Sequence, residues 1–382
     1  MDFTKLEKYQ DELTDGAVPG SDICVSVGGR TVFRRQSGYA DLAAGKKMHG
    51  DELYLAWSGS KLITSSLGMR LAEEGLLDLD APVAEYLPEY ADLTVINNID
   101  GREAVTRAKN TLYVYELFNM TAGFDYNFAS PEIAEVRKAT DGRCPTREIV
   151  RAFAKMPLAH EPGEHFEYSK AHDVLAGLIE VVAGEKMRDY AKRVLFDPLG
   201  MNDTSFGAPT AEQQARMAEQ YLWREDLGKA ALMKKVCNYN LGCEYDSGGA
   251  GIVTSCGDYM KFAETIACGG TTADGYRFLK PETIGLWKTG RPLGETAQRE
   301  FDEKWCVGHT YAYGVRRITD HRAYGASDGY TDFGWGGAAG MRVHICTEGK
   351  IAVVYMMHLH NMPDAKTFER NLRNIAFACV NE

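Results

Sequence analysis

The 382-residue chain has no run of about 18 apolar residues, no C-x-x-C pair, and no basic block longer than Lys46-Lys47 or Lys234-Lys235. It also has no internal repeat and no low-complexity stretch. The first absence leaves no candidate membrane span. Charge runs from Met1 through Tyr9, where a signal peptide requires an apolar stretch, so a soluble, cytoplasmic protein is expected. The second absence removes zinc and redox motifs. Nine cysteines, an odd number scattered from Cys24 to Cys379, read as reduced, mostly buried thiols. Neither metal nor cofactor is expected. The third absence joins a formal net charge of −11, from 43 basic and 54 acidic residues, to exclude nucleic acid as a partner. What remains is ordinary globular composition, 45% hydrophobic and 25% charged, enough for one large domain or two intimate ones.

Against this background one stretch stands out: Leu55-Ala56-Trp57-Ser58-Gly59-Ser60-Lys61, running into the helical pattern Leu62, Ile63, Ser66, Leu67, Arg70 and Leu71. Ser58 and Lys61 form the one S-x-x-K of the chain. Residues three apart on a helix share a face, about 5 to 6 Å apart, so the amine can reach the hydroxyl. A serine hydroxyl becomes a nucleophile when a neighbouring base takes its proton, and a desolvated lysine is such a base. The pattern alone is common enough to arise by chance, so it needs partners.

Residues 2 to 15 read as an amphipathic helix with Phe3, Leu6, Tyr9 and Leu13 on one face. Strands at Ile23 to Val27 and Thr31 to Gln36 flank a Gly28-Gly29 turn. Thr94 to Leu112, polar around Asn97-Asn98 and Asp100-Gly101, predicts a surface hairpin. Helical patterns dominate from Tyr113 to Asp203, and another runs from Thr254 to Ala267 after Gly248-Gly249-Ala250-Gly251. Tyr311 to Ile318, Ala338 to Cys346 and Ile351 to Met357 predict strands, before a closing helix from Asp364 to about Val380. Strands at both ends with helices between imply one sheet built from both termini.

Two further stretches offer partners. In Pro162-Gly163-Glu164-His165-Phe166-Glu167-Tyr168-Ser169-Lys170, Tyr168 stands in a loop just before an apolar helix, where its phenol could enter a cleft. The plainer reading is one of 20 tyrosines, half-buried against that helix. In Phe333-Gly334-Trp335-Gly336-Gly337-Ala338-Ala339-Gly340, glycines would let a substrate carbonyl approach backbone N–H groups, as an oxyanion hole requires. The plainer reading is a loose glycine turn.

The order of Ser58-Gly59-Ser60-Lys61, Pro162-Gly163 with Tyr168-Ser169, and Trp335-Gly336-Gly337 resembles the serine beta-lactamase and penicillin-binding-protein superfamily. It is most similar to class C beta-lactamases, DD-peptidases and family VIII carboxylesterases. Leu71 to Asp80, Phe196 to Met201 and Gly248 to Ser255 resemble family connectors, so the likeness covers nearly the whole chain. It implies an α+β, beta-lactamase-like fold: an antiparallel sheet flanked by helices from both termini, with an inserted all-helical domain. The expected division is a sheet domain of 1–60 and 250–382 and a mainly helical domain of 61–249, with one cleft between them. Two departures stand against the lactamases. Tyr168-Ser169-Lys170 replaces their Tyr-x-Asn, and Trp335-Gly336-Gly337 replaces their Lys-Thr-Gly, as in family VIII esterases. A literal Lys288-Thr289-Gly290 closes a predicted short helix and reads as a decoy; Ser327-Asp328-Gly329 is a poor match to Ser-Asp-Asn.

The resemblance implies that Ser58 attacks an ester or amide carbonyl, that Lys61 and Tyr168 transfer protons, and that an acyl-serine forms. It places the oxyanion between the backbone N–H groups of Ser58 and Ala338, with Trp335, Gly336, Gly337 and Lys170 contacting substrate. For Lys61 to be neutral near pH 7, its pKa must fall by about 3 units, roughly 4 kcal/mol; burial and a second cation could supply that. Lys170 has two expectations: a stem at the cleft rim with its amine in water, or a charge that tunes Lys61 or binds a substrate carboxylate. A small ester is the first choice of substrate. D-amino-acid amides or beta-lactams, and a non-hydrolytic penicillin-binding or sensor role, are the alternatives. Pocket shape would depend on loops at Ala122 to Ser130 and Trp223 to Asp246, and oligomeric state is left open.

Overall fold

The computed structural model describes residues 1–99, 101–234 and 240–382. Asp100, in the expected hairpin turn, and residues 235–239 of the expected pocket loop lie outside the described residues. The fold is beta-lactamase-like and α+β.

Eight strands form the main sheet: β1 (Gly20–Val27), β2 (Arg30–Asp41), β3 (Lys46–Lys47), β4 (His309–Ala312), β5 (Val315–Ile318), β6 (Phe333–Gly334), β7 (Arg342–Cys346) and β8 (Ile351–Met357). Their order is β4-β5-β6-β7-β8-β1-β2-β3, antiparallel throughout. The two chain ends meet where β1 pairs with β8, Ser21 opposite Met357 and Val27 opposite Ile351.

Why β8 is an unbroken apolar run follows from its position. Successive side chains on a strand point to opposite faces, and here both faces are covered. Ile351, Val353, Tyr355 and Met357 join a core with Leu6, Phe368, Leu372 and Phe377, from the terminal helices α1 (Thr4–Asp15) and α5 (Ala365–Asn381). Ala352, Val354 and Met356 join the other core, which includes Tyr259, Met260 and Phe262 of α4 (Cys256–Ala267).

Between these ends the chain is mainly helical. The central helix α2 (Ser60–Glu73) is buried along most of its length, and packs against α3 (Ala171–Ala183). Gly68 of α2 leaves room for the helix Val114–Asn119, since a Cβ there would lie 2.8 Å from the Phe118 ring. The expected hairpin is present as Thr94–Ile99 paired with Arg102–Arg107. The eight described cysteines are free thiols, five of them buried; Cys237 is not among the described residues.

Two strand predictions change. Tyr311 to Ile318 is a hairpin rather than one strand, because Tyr313 (φ 49°) and Gly314 (φ 83°) make a left-handed turn. That turn is anchored from outside: the Tyr313 carbonyl accepts from Trp287 Nε1 at 2.9 Å and from Ser65 Oγ, and a Cβ on Gly314 would fall 2.6 Å from Ser65 Cβ. The second is Ala338 to Cys346, where pairing with β8 starts at Arg342. Residues 338 to 340 turn instead, with Gly340 at φ 94° and the Gly340 N–H donating to the Gly337 carbonyl at 2.9 Å.

Candidate active site

A tight helical turn, Trp57–Gly59, carries Ser58 into α2. Bonds from three directions hold it. The Ala56 N–H donates to the Ile252 carbonyl (2.9 Å), the Ile252 N–H to Ser60 Oγ (3.0 Å), and the Tyr259 hydroxyl to the Gly59 carbonyl (2.7 Å). Trp57 itself sits at φ 49°, a left-handed conformation that costs a bulky residue roughly 1 to 3 kcal/mol. Its indole N–H reaches Gln220 Oε1 at 3.4 Å, and its ring meets His360 edge-on at 4.8 Å.

Two glycines bring the Trp335-Gly336-Gly337 segment against this turn. A Cβ on Gly337 would lie 2.3 Å from the Ala56 carbonyl oxygen, and one on Gly59 2.4 Å from Met341 Sδ. Only hydrogen side chains permit that approach. Ser58, second in its helical turn, has an N–H with no preceding carbonyl to bond within the helix. The Ala338 N–H, in an exposed turn, donates to no acceptor among the described residues. Both donors flank the same cleft.

Lys61 is 0% exposed. Its Nζ lies 3.3 Å from Ser58 Oγ, 2.8 Å from the Gly249 carbonyl and 2.8 Å from the Tyr126 hydroxyl. Burial, which disfavours the ammonium, lowers its pKa to about 7, and the buried Asp173 carboxylate opposes the shift. Asp173 accepts from Ser247 Oγ (2.6 Å) and Tyr245 Oη (2.7 Å). The Gly249 carbonyl can only accept, so one amine proton is committed there. A neutral amine then has its lone pair left for Ser58.

Tyr168 stands in the loop before α3, at the cleft. Its oxygen accepts from Trp335 Nε1 at 2.8 Å, and its ring centroid lies 4.6 Å from Lys61 Nζ. A phenol oxygen that accepts from the indole has its own proton available to give. Sequence reasoning missed Tyr126. Its ring lies 5.7 Å from that of Tyr168, and its hydroxyl is nearer to Lys61 than Ser58 is. Its loop, Ala122 to Ser130, predicts pocket shape only, and nothing local distinguishes Tyr126 from the other tyrosines.

Lys170 departs from both expectations. It is 1% exposed, so its amine is not in water. It is absent from the cavity wall beside Ser58. Its Nζ donates to Asp125 Oδ1 at 2.8 Å and to the Asn127 carbonyl at 3.2 Å, on either side of Tyr126. Its charge is answered by Asp125, and the forces on Lys61 are burial and Asp173, with no cation among them. Lys288-Thr289-Gly290 ends the helix Pro281–Thr289, with Lys288 paired to Glu348.

A cavity of about 450 Å³ opens from Ser58. Tyr168, Trp335, Gly336, Gly337 and Ala338 line it near the serine, and Phe301 and Trp305 add aromatic surface. Among the described residues, no cluster of three or more His, Cys, Asp or Glu could hold a metal, and no helix is long and apolar enough to cross a membrane.

Comparison with known proteins follows the same lines. The family model described as Beta-lactamase matches residues 5–377. Protein Rv1367c of Mycobacterium tuberculosis is 27% identical over 335 residues, 86% of this chain and 82% of its own. Esterase EstB of Burkholderia gladioli is 28% identical over 277 residues, 68% of each chain. Among solved structures, EstCE1, described as a hydrolase with promiscuous acyltransferase activity, matches with a TM-score of 0.78 at 22% identity. It covers 98% of this chain and 97% of its own, and so shares the fold.

Proposed function

The chain belongs to the Beta-lactamase family and is a serine hydrolase, and from that premise we propose that it is an esterase of small carboxylic esters working through an acyl-serine. The observation that carries the reading is Lys61: a fully buried amine, with a pKa near 7, 3.3 Å from Ser58 Oγ. On this reading Ser58 Oγ attacks the ester carbonyl carbon while its proton passes to neutral Lys61. The carbonyl oxygen, now an oxyanion, lies between the N–H groups of Ser58 and Ala338. Tyr168 gives a proton to the departing alkoxide, with the Trp335 indole N–H steadying charge on the phenol oxygen as it does so. Water, deprotonated by the same groups, then releases the acid. The cleft lies between a sheet domain of 1–60 and 250–382 and a mainly helical domain of 61–249.

Preference for esters over beta-lactams is supported by Trp335, which puts an indole where the lactamases of the resemblance carry a lysine, and by the named activity of EstB. A panel of p-nitrophenyl esters and nitrocefin, read by turnover and intact mass, tests it. We expect ester turnover, one acyl or phosphonate adduct on the peptide carrying Ser58, and no adduct in Ser58→Ala. Labelling that survives Ser58→Ala, or nitrocefin turned over with a higher kcat/KM than every ester, would reject it.

A further inference from the structure

The cavity that opens from Ser58 has a second kind of wall. Beside the aromatic and glycine lining its wall carries Lys304, Arg316, Arg342 and Lys366, against the single carboxylate Glu369. This is four cations to one anion, in a chain whose net charge is −11. The four are not equally committed. Arg316 is buried and tied to Glu369 at 2.9 Å and Asp332 at 3.2 Å, so it belongs to the frame. Lys304 pairs with Glu167 at 3.4 Å, with both side chains about half exposed, a contact of little strength in water. Lys366, exposed on the first turn of α5, has no ion pair among the described residues.

Arg342 is the informative one. Its Nη1 donates to the Met341 carbonyl at 2.8 Å and to the Gly337 carbonyl at 3.5 Å, which holds the guanidinium, while its Nε lies 3.0 Å from Glu369 without completing a hydrogen bond; Nη2 has no hydrogen bond among the described residues. The same Nη1 would lie 2.9 Å from a Cβ on Gly336, so the guanidinium rests against the strand that borders the serine. A fixed guanidinium edge with a free lysine beside it, in a cavity large enough for a small molecule, is the arrangement that recognises a carboxylate.

Resting on the esterase reading above, we infer that Arg342 and Lys366, with Lys304 at the rim, form a subsite for an anionic group of the substrate, so that the preferred esters are half-esters of dicarboxylic acids rather than neutral esters. Such a subsite restores by another route the charge contact that Trp335 removes.

The test compares kcat/KM for mono-p-nitrophenyl glutarate with that for p-nitrophenyl valerate, at low and high salt. We expect the anionic ester to be favoured by about tenfold or more at low salt, with the ratio shrinking as salt rises. Lys366→Glu, at an exposed helix position that does not threaten folding, should cut the ratio about tenfold. Arg342→Met should cut it as well. A ratio near one in the unaltered enzyme, or a ratio untouched by both variants, overturns the subsite. If neither ester is turned over, the esterase reading fails, and the subsite is read separately by calorimetry of glutarate and of valeramide on the Ser58→Ala protein. Binding of glutarate alone, lost in a Ser58→Ala, Lys366→Glu protein, upholds the subsite; no glutarate binding overturns it.

Discussion

Lys61 and Lys170 are both sealed from solvent, at 0% and 1% exposure, and they serve opposite ends. Around Lys170 the protein supplies a carboxylate, Asp125, at 2.8 Å, which opposes the lowering of its pKa by burial and ties the amine to the loop. Around Lys61 it supplies neutral acceptors, the Tyr126 hydroxyl and Gly249 carbonyl, and keeps Asp173 one shell away. Burial then lowers the Lys61 pKa to about 7, as the proposed role of base requires. The two are joined through one loop: Lys170 grips Asp125 and Asn127, and the residue between them, Tyr126, bonds Lys61. A lysine's chemistry is therefore set by what faces it, not by its depth.

The comparison breaks most visibly at Lys61. Lys61→Met should lower kcat by about two to four powers of ten on p-nitrophenyl esters. The same change should stabilise the fold. The unfolded lysine binds a proton up to about 10.5 and the folded one only up to about 7, so near pH 7 folding expels that proton at a cost. Allowing for the hydrogen bonds lost, denaturant titration at pH 7 should find Lys61→Met more stable by on the order of 2 kcal/mol. That gain should shrink as pH rises from 7 towards 10.5. A variant less stable than the parent at pH 7 would contradict the account.

At Lys170 the sign reverses. Lys170→Met leaves Asp125 without its cation and the Tyr126 loop without its anchor, so we expect a stability loss of roughly 1 to 2 kcal/mol, moderated because Asp125 is half exposed. Activity should fall about tenfold, the cost of losing one hydrogen bond to the base. Tyr126→Phe should reproduce the fall in kcat with little loss of stability. If the anchor works through Tyr126, the double variant's kcat will match that of the worse single variant; additive losses would separate the two residues.

The smallest effect sharpens the origin of the Lys61 shift. Since the amine must be neutral, kcat/KM should fall below about pH 7, tenfold per pH unit. Asp173 attracts the ammonium, so Asp173→Asn should move this acidic limb downward, by about a unit. Lys170→Met should leave the limb within about 0.3 units, because no charge of Lys170 acts on Lys61. An upward move in Lys170→Met would restore the tuning role that the geometry removes.

Much of this was legible from local pattern. Ser58 and Lys61 lie three residues apart on one helical turn, so their 3.3 Å contact needed nothing beyond the sequence between them. The apolar run Ile351 to Met357 announced the strand β8, while its cover on both faces came from the terminal helices and α4. The hairpin at Tyr313-Gly314 was less legible, because its left-handed tyrosine is held by Ser65 and Trp287, remote in sequence. Tyr126 was not legible at all, since its bond to Lys61 spans 65 residues.

What the sequence by itself determined, then, was the pairing of Ser58 with Lys61, the strand patterns and the order of the motifs, because each follows from helix or strand periodicity over a few residues. The tertiary structure alone decided which buried lysine faces a carboxylate and which faces neutral acceptors, which tyrosine touches Lys61, and which cations line the cavity. Protonation and pocket charge depend on burial and on partners within a few ångströms, and folding brings those partners from anywhere in the chain.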